Sequence, residues 1–260
     1  MRGPRGRNPK LFFDGRQNVV PFRGALEVDR GPPMVTTVLF EERVEVPLDL
    51  RSLADFRRWA FSEEFPETGR IDYISRRIEI DMSPEDLHTH GKLKVEIVRV
   101  LAGRVKELGL GEIYTDRARV SCPQADLSVE PDILFVSEAS LDSGRVRLVP
   151  RASGEPDRYL EFEGPPDLIV EIVSDASVGK DTQRLPASYH RAGVGEFWLI
   201  DARAPDLHFQ LYRRGPTAYE PVPADPDGYQ SSSVVNARYR LTRTRNPSGR
   251  IAFNLEEKEQ

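Results

Sequence analysis

A single cysteine, Cys122, stands among the 260 residues. It cannot form an internal disulfide or a cysteine-rich zinc site, and it fits a reducing compartment. No apolar run approaches the ~18 residues that span a bilayer. The basic start, MRGPRGRNPKLFFDGRQ, has no apolar stretch of signal-peptide length behind it. The expectation is a cytoplasmic protein with no membrane partner. Excess positive charge is also missing: 37 Lys and Arg against 42 Asp and Glu give a net charge of −5. That excludes an overall cationic coat for nucleic acid and leaves local basic patches open. Glycine (19) and proline (21) are too few and too scattered for a fibrous protein. The chain contains no Gly-x-Ser-x-Gly elbow, no GxxxxGK[ST] phosphate loop, no GxGxxG and no HExxH. Paired carboxylates would also suit a glycosidase, but only two tryptophans are present to stack on sugars.

What is present is enough for a core: 38% of residues are hydrophobic and 30% charged. The length exceeds the usual ~100–200 residues of one domain, so an enlarged domain or one with appendages is expected. Residues 1–35 read as a basic extension, either a flexible arm or a phosphate-attracting tail. A strand is expected over 35–47. Asp49 and Ser52 can cap a helix that continues through Phe65, with Leu53, Phe56, Trp59 and Ala60 on one face. Residues 70–82 read as a hairpin turning at Ser75–Arg76. Ser83 is the expected N-cap of a helix in which Leu93, Ile97, Leu101, Val105 and Leu108 recur at helical spacing, closed by Gly109 and Gly111. Strands follow at 112–120, 132–136, 168–174 and 196–201, with a helix from Asp181 to Ala192 between the last two. Strand, helix and strand in that order predict some parallel pairing. Residues 140–165 read as a surface excursion or lid. After 205, short β-like runs predict an antiparallel appendage. Its stretch 238–250 carries five arginines and no acid, as a solvated edge or as a surface for nucleic acid or a partner.

LIVEIVS is the most informative segment. A carboxylate at Glu171, inside a run buried on both faces, must be paired in the core or serve a site. Asp132, after Pro131, sits at the mouth of the strand DILFV. Taken alone it reads as a turn or cap aspartate; beside Glu171 it could share a hard cation such as Mg²⁺. Lys180 precedes the 181–192 helix and reads as a surface lysine, or as a cation that neutralises phosphate or orients water. His90 falls on the core-facing side of its helix, as a hydrogen-bonded core residue or as an acid, base or ligand. His88 should point elsewhere. His190 and His208 make no metal motif, and Cys122 lacks the setting of a nucleophile.

Pro131-Asp132, a spacer, then Val170-Glu171-Ile172-Val173-Ser174 resembles the PD…(D/E)xK signature of metal-dependent nucleases. Lys180-Asp181, Tyr189, Ala192-Gly193-Val194 and Glu196-Phe197-Trp198-Leu199-Ile200-Asp201, with Met82-Ser83-Pro84 and His90 upstream, resemble the Uma-two family of restriction endonucleases over roughly residues 50–205. The resemblance implies an α/β fold: a restriction-endonuclease-like core over 36–205, with a central mixed sheet flanked by helices, followed by the β-rich appendage over 206–260. It implies phosphodiester hydrolysis of DNA that depends on Mg²⁺ (or Mn²⁺). Asp132 and Glu171 would be the metal ligands, Lys180 the charge-neutralising residue and His90 a neighbour of the site. A homodimer follows if both DNA strands are cut. The sequence departs from the pattern at Val173, where the superfamily has lysine. It departs again at Leu185, where relatives carry a helical lysine. A nuclease fold that binds nucleic acid or a protein without cutting is the alternative.

Overall fold

The computed structural model describes residues 37–39, 45–151 and 155–260. The basic extension expected over 1–35 lies outside them. Within 35–47 the described residues form a short antiparallel pair, β1 (Thr37–Leu39) with β2 (Glu45–Pro47). Ser52 caps α1 (Leu53–Ala60), its hydroxyl accepting from the Asp55 amide at 3.2 Å. The helix stops short of Phe65 because the chain turns at Ser62 and lays Phe65 back on Trp59, ring centroids 4.7 Å apart. The hairpin is present as β3 (Arg70–Ile74) and β4 (Arg77–Asp81). Ser75 and Arg76 both take positive φ, 48° and 65°, as a two-residue hairpin turn of matching twist requires.

Asp86, not Ser83, caps the long helix. Its carboxylate accepts from the amides of His88 and Thr89, while the Ser83 amide is tied to Asp81. A carboxylate that takes two amides at once outcompetes a single hydroxyl. The chain then makes a wide π-type turn over Leu87–Lys92 and enters α2 (Leu93–Leu108). Leu93, Ile97, Leu101 and Val105 are buried as expected; Leu108, at the helix end, is exposed. Gly109 closes α2 in the left-handed region at φ 60°. A Cβ on Gly111 would lie 2.2 Å from the Val136 carbonyl oxygen, so only glycine fits there.

The strand expected over 112–120 is two strands, β5 (Gly111–Thr115) and β6 (Arg119–Cys122), parted where Arg117 takes φ 62°. β7 (Leu127–Val129), β8 (Ile133–Ser137) and α3 (Glu138–Asp142) follow. Within 140–165 the described residues supply β9 (Arg147–Pro150) and β10 (Tyr159–Glu163) in place of the expected excursion, with Phe162 buried in the core and Arg57 of α1 paired with Glu161 and Glu163. β11 (Leu168–Ile172) leads through a second π-type turn, Lys180–Arg184, into α4 (Leu185–Ala192) and on to β12 (Glu196–Asp201). The remaining strands are β13 (His208–Arg214), β14 (Tyr219–Pro221), β15 (Gln230–Ser232), β16 (Ala237–Arg245) and β17 (Ile251–Glu259).

The central sheet has the order β14-β13-β12-β11-β8-β5, with β11 and β12 parallel and the other neighbours antiparallel. A second mixed sheet has the order β4-β3-β7-β6-β10-β9, its one parallel pair being β6 and β10. One face of the central sheet packs Ile133, Val170, Ile172 and Trp198 against α2 and against the antiparallel sheet β15-β16-β17. The other packs Leu134, Ile169 and Phe197 against α4 and the second sheet. Apolar side chains thus leave both faces, which is why LIVEI reads as a continuous apolar run. The segment after 205 begins inside the central sheet, because β13 pairs with β12 along its length. The separate three-stranded sheet starts only at Gln230, and it is fastened by Arg104 of α2 and by Lys92 of the turn before it, which bond to the carbonyls of Val235 and Ile251.

Candidate metal centre

Asp132 immediately precedes β8, and Val170 pairs with Ile133 in the antiparallel ladder. Continuing that register by one pair sets Asp132 opposite Glu171, on the same side of the sheet. The Ile172 amide donates to Asp132 Oδ2 at 2.8 Å. Both carboxylates are buried, Asp132 at 0% and Glu171 at 1% exposure. The ordering of strands therefore brings the two sequence-predicted acids together.

Three cations converge on Asp132 from other elements. Arg70 of β3 donates to Oδ1 at 2.7 Å, Lys94 Nζ of α2 lies 3.3 Å from the same oxygen, and His90 Nε2 stands 3.4 Å from Oδ2. Burial alone would raise the Asp132 pKa, but Arg70, His90 and Lys94 outweigh it and hold the carboxyl well below the usual range. His90 is 4% exposed, as its place on the helix face implied, and His88 points to solvent. Burial acts to lower the His90 pKa, yet the bond and charge of Asp132 prevail and the net shift is upward. Glu85 Oε2 lies 3.1 Å from His90 Nδ1, which nonetheless has no hydrogen-bond partner. Among the described residues, Glu85, His90 and Asp132 form a set whose ligand atoms all fall within 4.8 Å of one another.

Glu171 meets the opposite conditions. Tyr189 of α4 donates to Oε1 at 2.5 Å, while the buried Oε2 has no partner. Burial, then the charges of Asp132 and Asp181, push its pKa well above the carboxylate range. Lys180 is buried at 5% exposure, not a surface lysine, and bonds Asp72 Oδ2 at 3.0 Å. Asp72 Oδ1 in turn accepts from the Glu130 amide. Burial works to lower the Lys180 pKa, and the Asp72 charge reverses that. Val173 and Leu185, the two positions where lysine was expected, are buried apolar residues on the α4 side of the sheet. An open groove of about 390 Å³ is lined by Arg70 and His90, the partners of Asp132, with Glu85, Asp116, Ser174 and Ser177.

Arg70, Asp72 and Lys94 escaped the sequence reading. Asp72 carried the same signal as Glu171, a carboxylate inside an apolar strand, RIDYI. Lys94 lies four residues after His90 and so shares its helix face. Arg70 left no signal, because it reaches Asp132 only through the placement of β3. Cys122 is buried and its thiol is pushed up to about 12 by burial, which leaves it inert. The 238–250 arginines are largely engaged inside the protein. Arg238 pairs with Asp225, Arg240 with Glu256, and Arg243 donates to the carbonyls of Ala204 and Pro205.

The fold is a mixed α/β one, with Asp132 and Glu171 brought together across β8 and β11. The family model described as "Uma2: Putative restriction endonuclease" matches residues 53–242, well over half of the chain, and the protein belongs to that family. Among solved structures, the chain is similar to a putative nuclease belonging to DUF820 from Anabaena variabilis. The TM-score is 0.52 and the identity 22%, over 71% of this chain and 90% of that one. This likeness shows the shared fold. A comparison with curated proteins gives no match. Among the described residues, no helix is long and apolar enough to cross a membrane.

Proposed function

We propose that the protein is a Mg²⁺-dependent DNA endonuclease of the reducing cytoplasm, acting as a homodimer when both strands are cut. The observation that carries this reading is Glu171 Oε2. It is a buried carboxylate oxygen without a donor, on the residue opposite Asp132. An ionised carboxylate so placed needs a cation, and a hard divalent ion takes one or two such carboxylates together with water and phosphate oxygens. The donor set fits the ion: Asp132 and Glu171 would hold it. When bound, the ion supplies a Lewis acid for the phosphate and lowers the pKa of its water. The chain's own groups do the rest. Tyr189 fixes the Glu171 carboxyl by one oxygen. Arg70, His90 and the Ile172 amide fix Asp132. Lys180, held by Asp72, places an ammonium beside the acids, where it can offset charge that develops on phosphate.

The test is plasmid cleavage by the full chain in Mg²⁺ or Mn²⁺. Glu171→Gln and Asp132→Asn should each lower cleavage by about 10²-fold or more, the scale of losing a main electrostatic group. Unchanged cutting by both variants removes the assignment. A second reading, nucleic-acid or protein binding without cutting, is favoured by Val173 and Leu185 in the lysine positions. It predicts an electrophoretic shift that weakens steeply with salt and yields no product.

A further inference from the structure

The cleavage reading employs Glu171 and leaves a neighbouring acid without a task. Asp181, in the turn before α4, is 1% exposed. Its Oδ2 accepts from the Ser177 hydroxyl; its Oδ1 is buried with no partner. Glu171 shows the same pattern: one oxygen held by a hydroxyl, the other bare. Ser177, whose hydroxyl bonds Asp181, lines the groove that also takes in Arg70 and His90.

The nearby cations are committed elsewhere. Arg70 donates to Asp132, and Lys180 donates to Asp72. The two hydroxyls, from Tyr189 and Ser177, already serve the other oxygen of each acid. Leaving two buried, ionised carboxylates short of a counter-charge is strongly unfavourable. A ligating carboxylate is commonly oriented by a second group on its other oxygen, and both acids are prepared in that way.

We propose that Asp181 is a ligand of the divalent cation held by Glu171, so that the ion lies between the end of β11 and the start of α4. This rests on the metal-dependent reading above. It adds a ligand from the turn after Ser177, away from the Glu85–His90 side of Asp132.

Mn²⁺ binding to the full chain without DNA, followed by the electron paramagnetic resonance of free Mn²⁺, tests it. Asp181→Asn should weaken Mn²⁺ binding about tenfold or more. Glu196→Gln serves as a control: Glu196 is a buried carboxylate bonded by Trp198 and the Ser233 amide, and its loss should leave Mn²⁺ affinity unchanged. In chelator, Asp181→Asn should melt no lower than wild type, because an amide replaces an unpaired charge. If it does melt lower, Asp181→Ser is the substitute, with the same weakening expected. Wild-type binding matched within twofold by either folded variant overturns the inference and leaves the endonuclease reading standing. Absence of Mn²⁺ binding by wild type overturns both.

Discussion

Asp132 and Glu171 face each other across two paired strands, yet their surroundings differ in kind. Asp132 is reached by Arg70 from the second sheet, Lys94 and His90 from the start of α2, and a backbone amide. Glu171 receives one hydroxyl, from α4, and meets the charges of Asp132 and Asp181. Backbone pairing gives the two acids equivalent places, and the elements packed on each side set their charge. One stays ionised under its own cations. The other is pushed toward its neutral form by burial and by the charges of Asp132 and Asp181. The contrast separates an acid whose charge the fold itself balances from two, Glu171 and Asp181, that each keep a buried oxygen without a partner.

Breaking the well-supplied side should have the largest effect. Asp132→Ala leaves Arg70, Lys94 and His90 without their common partner, and about 3–5 kcal/mol of stability should be lost in urea denaturation. A loss below about 1 kcal/mol would mean the cations do not converge on Asp132 in solution.

The starved side should reveal itself through pH. The Asp181 pKa is raised from 3.8 to about 6 by burial, against the pull of Lys180, Ser177 and Arg70 and with the push of Asp132. Between those values the folded protein binds more protons than the unfolded chain, so this group makes stability fall as pH rises. The change is on the order of 3 kcal/mol. Glu171, also raised, acts in the same direction; Asp132, lowered, adds stability above the ordinary carboxylate range and loses it only in stronger acid. In chelator, the melting temperature of Asp181→Asn minus that of wild type should therefore climb from pH 4 to 6. A flat difference would place Asp181 outside the acidic pocket.

Tyr189→Phe sharpens the comparison. It removes the one donor to Glu171 and should cost about 1–3 kcal/mol by thermal melting. Smaller still is Arg184→Ala, which cuts a half-exposed pair with Glu79 at the rim. Its effect should stay below about 1 kcal/mol and vanish in high salt.

The acids were legible because their type contradicts their setting. A glutamate within LIVEIVS and an aspartate after Pro131 must be explained by pairing or by chemistry, whatever the fold. Lys180 was harder: nothing local tells a buried lysine from an exposed one, and its burial follows from Asp72, over a hundred residues earlier in the chain. The capping of α2 was misplaced by three residues, since Ser83 and Asp86 are both good caps and the choice depends on Asp81 having taken the Ser83 amide. The segment 140–165 looked like a loop because β9 and β10 are short; their pairing to each other and to β6 makes them strands.

By itself the sequence determined the hairpin at Ser75–Arg76, the apolar stripe of α2, the doubly buried strand β11 and the presence of two acids near strand ends. Those are consequences of short-range geometry, where a residue's neighbours in the chain are its neighbours in space. Only the tertiary structure decided which cations reach Asp132, that Glu171 and Asp181 each keep an oxygen bare, and that β13 belongs to the central sheet. Charge acts through space and burial multiplies it, so a carboxylate's state depends on residues brought beside it from distant parts of the chain.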